Sequence, residues 1–155
     1  MKSSKPILLV EDDNVDAMTV KRALKDLHVS NPLVRVANGE EALVYLKDDS
    51  KEKPCVILLD LNMPKMNGIE FLNVAKADEK LKRIPAIVLT TSKDDQDRFR
   101  TFQLSIAGFV VKPVDYVKFV EAMRIVNLYW TLSEMPNSEQ ESTNEKLQAN
   151  TAGRR

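Results

Sequence analysis

The sequence predicts an α/β fold, an open parallel sheet of five strands with helices on both faces. Three observations predict it. Five short apolar runs of strand length recur along the chain, and four of them are apolar throughout. Unbroken runs of that kind mark strands buried on both faces of a parallel sheet. Stretches with helical spacing separate the runs, so strand and helix alternate five times, the order of an open α/β sheet.

The elements follow in order. Ile7–Val10 is the first strand. Ala17, Val20, Leu24 and Leu27, three and four residues apart, give the first helix one apolar face. Leu33–Val36 is the second strand, and Ala42, Leu43 and Leu46 mark a short helix after Asn38–Gly39. Val56–Leu59 is the third strand, and Ile69, Leu72 and Ala75 mark the third helix. Ala86–Leu89 is the fourth strand; Phe99 and Phe102, with Leu104 or Ile106, mark the fourth helix. Phe109–Val111 is the fifth strand. Tyr116, Phe119, Val120, Met123, Val126 and Trp130 line the fifth helix, with Asp115 placed as its N-cap. From Ser133 to Arg155 the chain is rich in Ser, Asn, Gln, Glu and Thr. Such a segment buries too little to offset its ordering entropy. The expectation is one domain over residues 5–132, a disordered tail over 133–155 and no output module.

Composition sets further bounds. A chain of 155 residues suits one domain, and 43% apolar with 30% charged residues is ordinary for a globular one. Lys plus Arg total 23 and Asp plus Glu total 23, so bulk charge gives no pull toward nucleic acid. Cys55 is alone, which excludes a disulfide framework or a cysteine zinc site and suits a buried cysteine at a strand start. With a polar start at Met1–Lys5 no signal peptide is expected, and no apolar run approaches the roughly 20 residues of a membrane span. A cytoplasmic protein is expected. His28, at the end of the first helix, reads as an exposed or cap-near residue.

The residues that follow the buried runs carry the chemistry. Val10 is followed by Glu11, Asp12 and Asp13; Leu59 by Asp60; Leu89 by Thr90; and Val111 by Lys112. In a parallel sheet these groups all emerge at the carboxyl edge, where open α/β sheets place their ligands. Taken singly, the acidic triplet could be a solvated helix start, with Asp13 or Asn14 as N-cap, Asp60 a turn residue and Lys112 a loop lysine. Together they form a set. Clustered carboxylates repel unless a cation joins them. Oxygen ligands on a loop suit Mg2+, which accepts few protein ligands and keeps several waters. A lysine and a hydroxyl nearby suit a dianionic phosphoryl group, and a carboxylate between them is a plausible nucleophile for phosphorus.

At these residues the sequence resembles the receiver domain of bacterial response regulators. The resemblance is carried by Ile7-Leu8-Leu9-Val10-Glu11-Asp12-Asp13, by Leu58 to Gly68 with Asp60 and Met63-Pro64, by Ile84 to Thr90, and by Phe109-Val110-Val111-Lys112-Pro113. It covers roughly Lys5 to Leu132 and implies a flavodoxin-like doubly wound sheet in the order 2-1-3-4-5 with five helices. It implies that Asp60 is the phosphorylated aspartate. Asp12 is then the direct carboxylate ligand of Mg2+, Glu11 stands close by through water, and Asn62 lends its backbone carbonyl. Thr90 and Lys112 would each bond a phosphoryl oxygen, with a cis Lys112–Pro113 bond aiming the lysine inward. Thr90 and Phe109 would form the switch that reshapes the surface of the fourth helix, fifth strand and fifth helix. The phosphoryl donor would be a sensor histidine kinase.

Two positions depart from the common pattern. Glu11 stands for the more usual first Asp. Thr91 replaces a common Ala or Gly, which implies slower loss of phosphate or a choosier donor. Leu89-Thr90-Thr91-Ser92, Ile57 to Pro64 and Tyr129-Trp130 further resemble single-domain regulators paired with phytochrome-type histidine kinases. That narrower likeness implies a bacteriophytochrome-type donor and a homodimer. Tyr129 and Trp130 serve either the domain's own core or that interface.

Two enzyme readings fail on the residues. A phosphatase that forms an aspartyl phosphate needs an acid two places after the nucleophile, and Asn62 stands there. Neither Gly-x-x-x-x-Gly-Lys-Ser/Thr nor Gly-x-Gly-x-x-Gly occurs. A phosphorylation-independent interaction module on the same fold is the alternative left open.

Overall fold

The alternation of buried strands and amphipathic helices becomes a single five-stranded parallel sheet. The computed structural model describes residues 5–60, 66, 68–90, 108–111 and 115–135. The strands are β1 (Ile7–Val10), β2 (Leu33–Val36), β3 (Val56–Asp60), β4 (Ala86–Thr90) and β5 (Gly108–Val111). The helices are α1 (Asn14–Asp26), α2 (Gly39–Lys47), α3 (Gly68–Ala77) and α4 (Tyr116–Met135). The helix expected around Phe99–Ile106 lies outside the described residues, so the fifth helix of the sequence reading is α4 here. It runs on to Met135, past the change in composition after Leu132.

The sheet order is β2-β1-β3-β4-β5, and every neighbouring pair is parallel. This is the doubly wound order expected. Strand alternation divides the core into two layers. Leu8, Val10, Ile57, Leu59, Ala86 and Val88 face α2 and α3, where Leu46, Phe71 and Leu72 close over them. Ile7, Leu9, Val56, Leu58, Ile87 and Leu89 face the other way, onto Val20 and Leu24 of α1 and Phe119 and Met123 of α4. Each of the large side chains fully buried here contributes about 1.5–3 kcal/mol relative to exposure. That two-sided burial explains why β1 and β3 read as unbroken apolar runs.

The helix ends are fixed by short polar side chains. Asp13 caps α1, its Oδ1 accepting from the Asp16 N–H at 2.9 Å. Asn38 caps α2 through the Glu41 N–H at 2.9 Å, while Glu41 Oε1 accepts from the Ala37 N–H at 3.1 Å. Asp115 caps α4 as expected, its Oδ1 accepting from the Val117 N–H at 2.9 Å. At its other end α1 closes with His28 in the left-handed region, φ 58°. The His28 N–H donates to Lys25 O and the Val29 N–H to Leu24 O, a two-bond closure of the last turn. Cys55 is buried at the start of β3, as expected. Among the described residues no helix is long and apolar enough to cross a membrane.

Candidate functional site: an acidic cluster at the carboxyl edge of the sheet

The parallel register of β1 and β3 brings the acids together. Val10 pairs with Leu59, so Glu11 and Asp12 leave the sheet beside Asp60, the last residue of β3. Glu11 stays anchored to the sheet edge, its N–H donating to Val36 O at 3.0 Å. One carboxylate oxygen from each of Glu11, Asp12 and Asp60 lies within 4.8 Å of the others. Glu11 is fully buried, Asp60 half-buried and Asp12 exposed. The Asp13 N–H also approaches Glu11 Oε2, at 3.4 Å.

Asp13 and Asn14, left as alternatives by the sequence, divide the work. Asp13 caps the helix. Asn14 opens α1 and accepts a hydrogen bond from Arg35. Arg35 was not singled out by the sequence reading. Its Nε donates to Glu11 O at 3.0 Å, one terminal nitrogen to Asn14 Oδ1 at 2.8 Å and the other to Asp12 O at 3.2 Å. The available signal was a charge inside the one strand-length run that is not wholly apolar, Leu33–Val36.

A second contact missed by the sequence reading joins the start of α2 to Met66. The Gly39 N–H donates to Met66 O at 3.2 Å. A Cβ on Gly39 would sit 2.8 Å from Met66 Cγ and 3.0 Å from Met66 O. Glycine at the start of α2 therefore lets Met66 approach closely.

The other expected residues are placed only in part. Thr90 ends β4 and pairs with Val111, so its backbone stands at the same carboxyl edge as Asp60. Phe109 lies on β5, paired with Val88. Asn62, Thr91, Lys112 and the Lys112–Pro113 bond lie outside the described residues.

The donor set fits a hard divalent cation. All three groups are carboxylates, and a buried carboxylate beside two others is costly without positive charge. Oxygens bound directly to Mg2+ stand about 2.0–2.1 Å from it, so two of them can be at most about 4.2 Å apart. A cluster bounded at 4.8 Å accommodates direct contact from some of its members and contact through water from the rest.

Comparison with known proteins identifies the family. The sequence profile described as "Response regulator receiver domain" matches residues 7–124. The chain belongs to the response regulator receiver domain family. Among relatives, the receiver domain is 35% identical over 127 residues to the probable methanogenesis regulatory protein FilR2 of Methanothrix harundinacea, covering 80% of this chain and 82% of that protein. It is 32% identical over 130 residues to response regulator Rcp1 of Synechocystis sp., covering 81% and 88%. Among solved structures it resembles the phosphorylated cyanobacterial phytochrome response regulator RcpA, with TM-score 0.74, 34% identity, and 83% and 94% of the two chains covered. Rcp1 itself has been solved in a Mn2+-bound form; the match there has TM-score 0.73, 32% identity, and covers 82% and 94%. The receiver domain is thus a two-component signalling protein related to phytochrome response regulators, and the partners of its family are histidine kinases.

Proposed function

We propose that the receiver domain accepts a phosphoryl group on Asp60 from a sensor histidine kinase in a Mg2+-dependent reaction. The observation that carries this reading is the convergence of Glu11, Asp12 and Asp60 within 4.8 Å at the carboxyl edge. Asp12, Asp60 and the backbone carbonyl of Asn62 would hold Mg2+, with Glu11 reaching it through water. Bound there, the ion offsets the carboxylate charge and that of the incoming phosphoryl oxygens. An Asp60 oxygen attacks phosphorus in line. The new oxygen–phosphorus bond forms as the phosphorus–nitrogen bond of the phosphohistidine breaks, and the departing imidazole keeps the electron pair. Lys112 pairs with one phosphoryl oxygen and Thr90 bonds another. The chain contributes position and charge.

The phosphoryl charge draws Thr90 inward, and Phe109 follows into the space it leaves. That local event biases a pre-existing equilibrium of the surface around β5 and α4. A phytochrome-type kinase is the donor we favour. Support comes from the similarity to RcpA, a cyanobacterial phytochrome response regulator. The same surface would join two copies of the chain. Val117, Ile125 and Leu128 are exposed there, on the side of α4 turned away from the buried Phe119, Met123 and Val126. A cytoplasmic setting suits this scheme.

The test is intact mass after incubation with Mg2+ and acetyl phosphate. One added phosphoryl group is expected in the wild type. Asp60→Asn, or the wild type without Mg2+, should gain none. No adduct in the wild type, with acetyl phosphate or with a phosphorylated kinase, would instead favour a phosphorylation-independent interaction module.

A further inference from the structure

We infer that Arg35 is a positioning residue for the metal site, holding the main chain that carries Glu11 and Asp12. This role rests on the Mg2+-dependent reading above. Arg35 comes from β2, the edge strand. Its neighbours Val34 and Val36 turn toward the α2 and α3 layer, whereas Leu33 packs on the α1 side. By strand alternation Arg35 shares the side of Leu33, which brings it to the start of α1. All three of its hydrogen bonds land on one short stretch of chain, at Glu11 O, Asp12 O and Asn14 Oδ1. Two of the acceptors are the main-chain carbonyls of the very residues whose carboxylates enter the cluster. The third opens α1. A planar fork with five donors fits such a divergent set of acceptors; an ammonium on a flexible stem does not fix their spacing.

Two effects of Arg35 on cation binding oppose each other. Its charge repels a cation nearby, so removal would tighten binding. Its hydrogen bonds fix the angle at which Glu11 and Asp12 leave β1, so removal would loosen the ligands. Arg35 is exposed, and an exposed charge is screened by water and salt. Its hydrogen bonds gather on one segment that Glu11 also anchors to β2 through Val36 O. Positioning therefore wins. Groups that orient metal ligands typically change affinity by 10- to 100-fold. For a main-chain hold made by an exposed side chain, the lower end applies.

The experiment is calorimetric titration of the metal-free full chain with Mg2+, beside thermal melts in EDTA. Arg35→Ala and Arg35→Lys should each weaken Mg2+ binding on the order of 10-fold, with the EDTA melt close to wild type. Asn14→Ala, which removes one acceptor, should weaken it by less. At saturating Mg2+, Arg35→Ala should still take one phosphoryl group from acetyl phosphate. Unchanged or tighter Mg2+ binding in Arg35→Ala would overturn the role, as would a lowered EDTA melt with unchanged affinity. Wild-type affinity in Arg35→Lys would overturn the part given to the fork. Absence of Mg2+ binding by the wild type would overturn both this role and the function on which it rests.

Discussion

Three carboxylate oxygens within 4.8 Å of one another set the energetics of the site before any ligand arrives. At that separation two unit charges repel by about 1 kcal/mol even in a medium as polar as water. The fold pays this cost in the absence of a cation. Asp12→Asn should therefore raise metal-free stability by about 1 kcal/mol, or roughly 3 °C in Tm. The same substitution should abolish the further rise that Mg2+ gives the wild type by binding only the folded state. Thermal melts in EDTA and in excess Mg2+ check both halves. A lower metal-free Tm in Asp12→Asn would show that Asp12 makes a stabilising contact that outweighs the repulsion. Glu11, Asp12 and Asp60 were legible in the sequence because they stand just past buried apolar runs, Glu11 and Asp12 after Val10 and Asp60 after Leu59. Arg35 was not. Its acceptors lie 21 to 24 residues away in sequence. Which residue of an edge strand meets which loop depends on strand order and register, and apolar periodicity speaks only of local structure.

Elements show the same division between local and distant information. The caps at Asp13, Asn38 and Asp115 are near-neighbour events, and Asp115 was readable from its place before an apolar helical face. The end of α1 is also local, yet its usual marker, glycine, is missing. His28 occupies the left-handed position, φ 58°, and both closing hydrogen bonds form all the same. A Cβ in that region costs roughly 1–2 kcal/mol, part of which glycine returns through its greater freedom in the unfolded chain. His28→Gly should accordingly stabilise the domain by about 0.5–1 kcal/mol. Denaturant unfolding should show a higher midpoint with an unchanged slope. An unchanged or lower midpoint would mean that the imidazole makes a contact worth as much as the strain. Gly39 shows the opposite case: a glycine that punctuates nothing in the backbone but admits Met66, a long-range approach that no local pattern announces.

At the scale of the whole molecule, the two-layered core leaves α4 with one face in the domain and one outside it. Phe119, Met123 and Val126 are buried, while Val117, Ile125 and Leu128 keep 67%, 69% and 55% of their surface exposed. Successive residues turn by about 100°, which gathers the three exposed side chains within roughly a quarter turn of the helix. Glu121 and Arg124, paired at 3.2 Å, lie on the same arc. Three side chains fall short of the roughly 800 Å2 per partner that a stable interface buries. The proposed dimer therefore needs more of the domain surface than these α4 side chains alone supply. Ile125 and Leu128 would stand within its apolar part, where an unpaired carboxylate is strongly disfavoured. The double variant Ile125→Glu, Leu128→Glu should sediment as a monomer at concentrations where the wild type is a dimer. Both positions lie on the outer face of α4 rather than in the core, so the variant should retain wild-type Mg2+ affinity and still gain one phosphoryl group on Asp60. A wild type that sediments as a monomer both before and after phosphorylation would remove the dimer from the scheme and leave this face to a different partner. A double variant that remains dimeric would move the interface off α4.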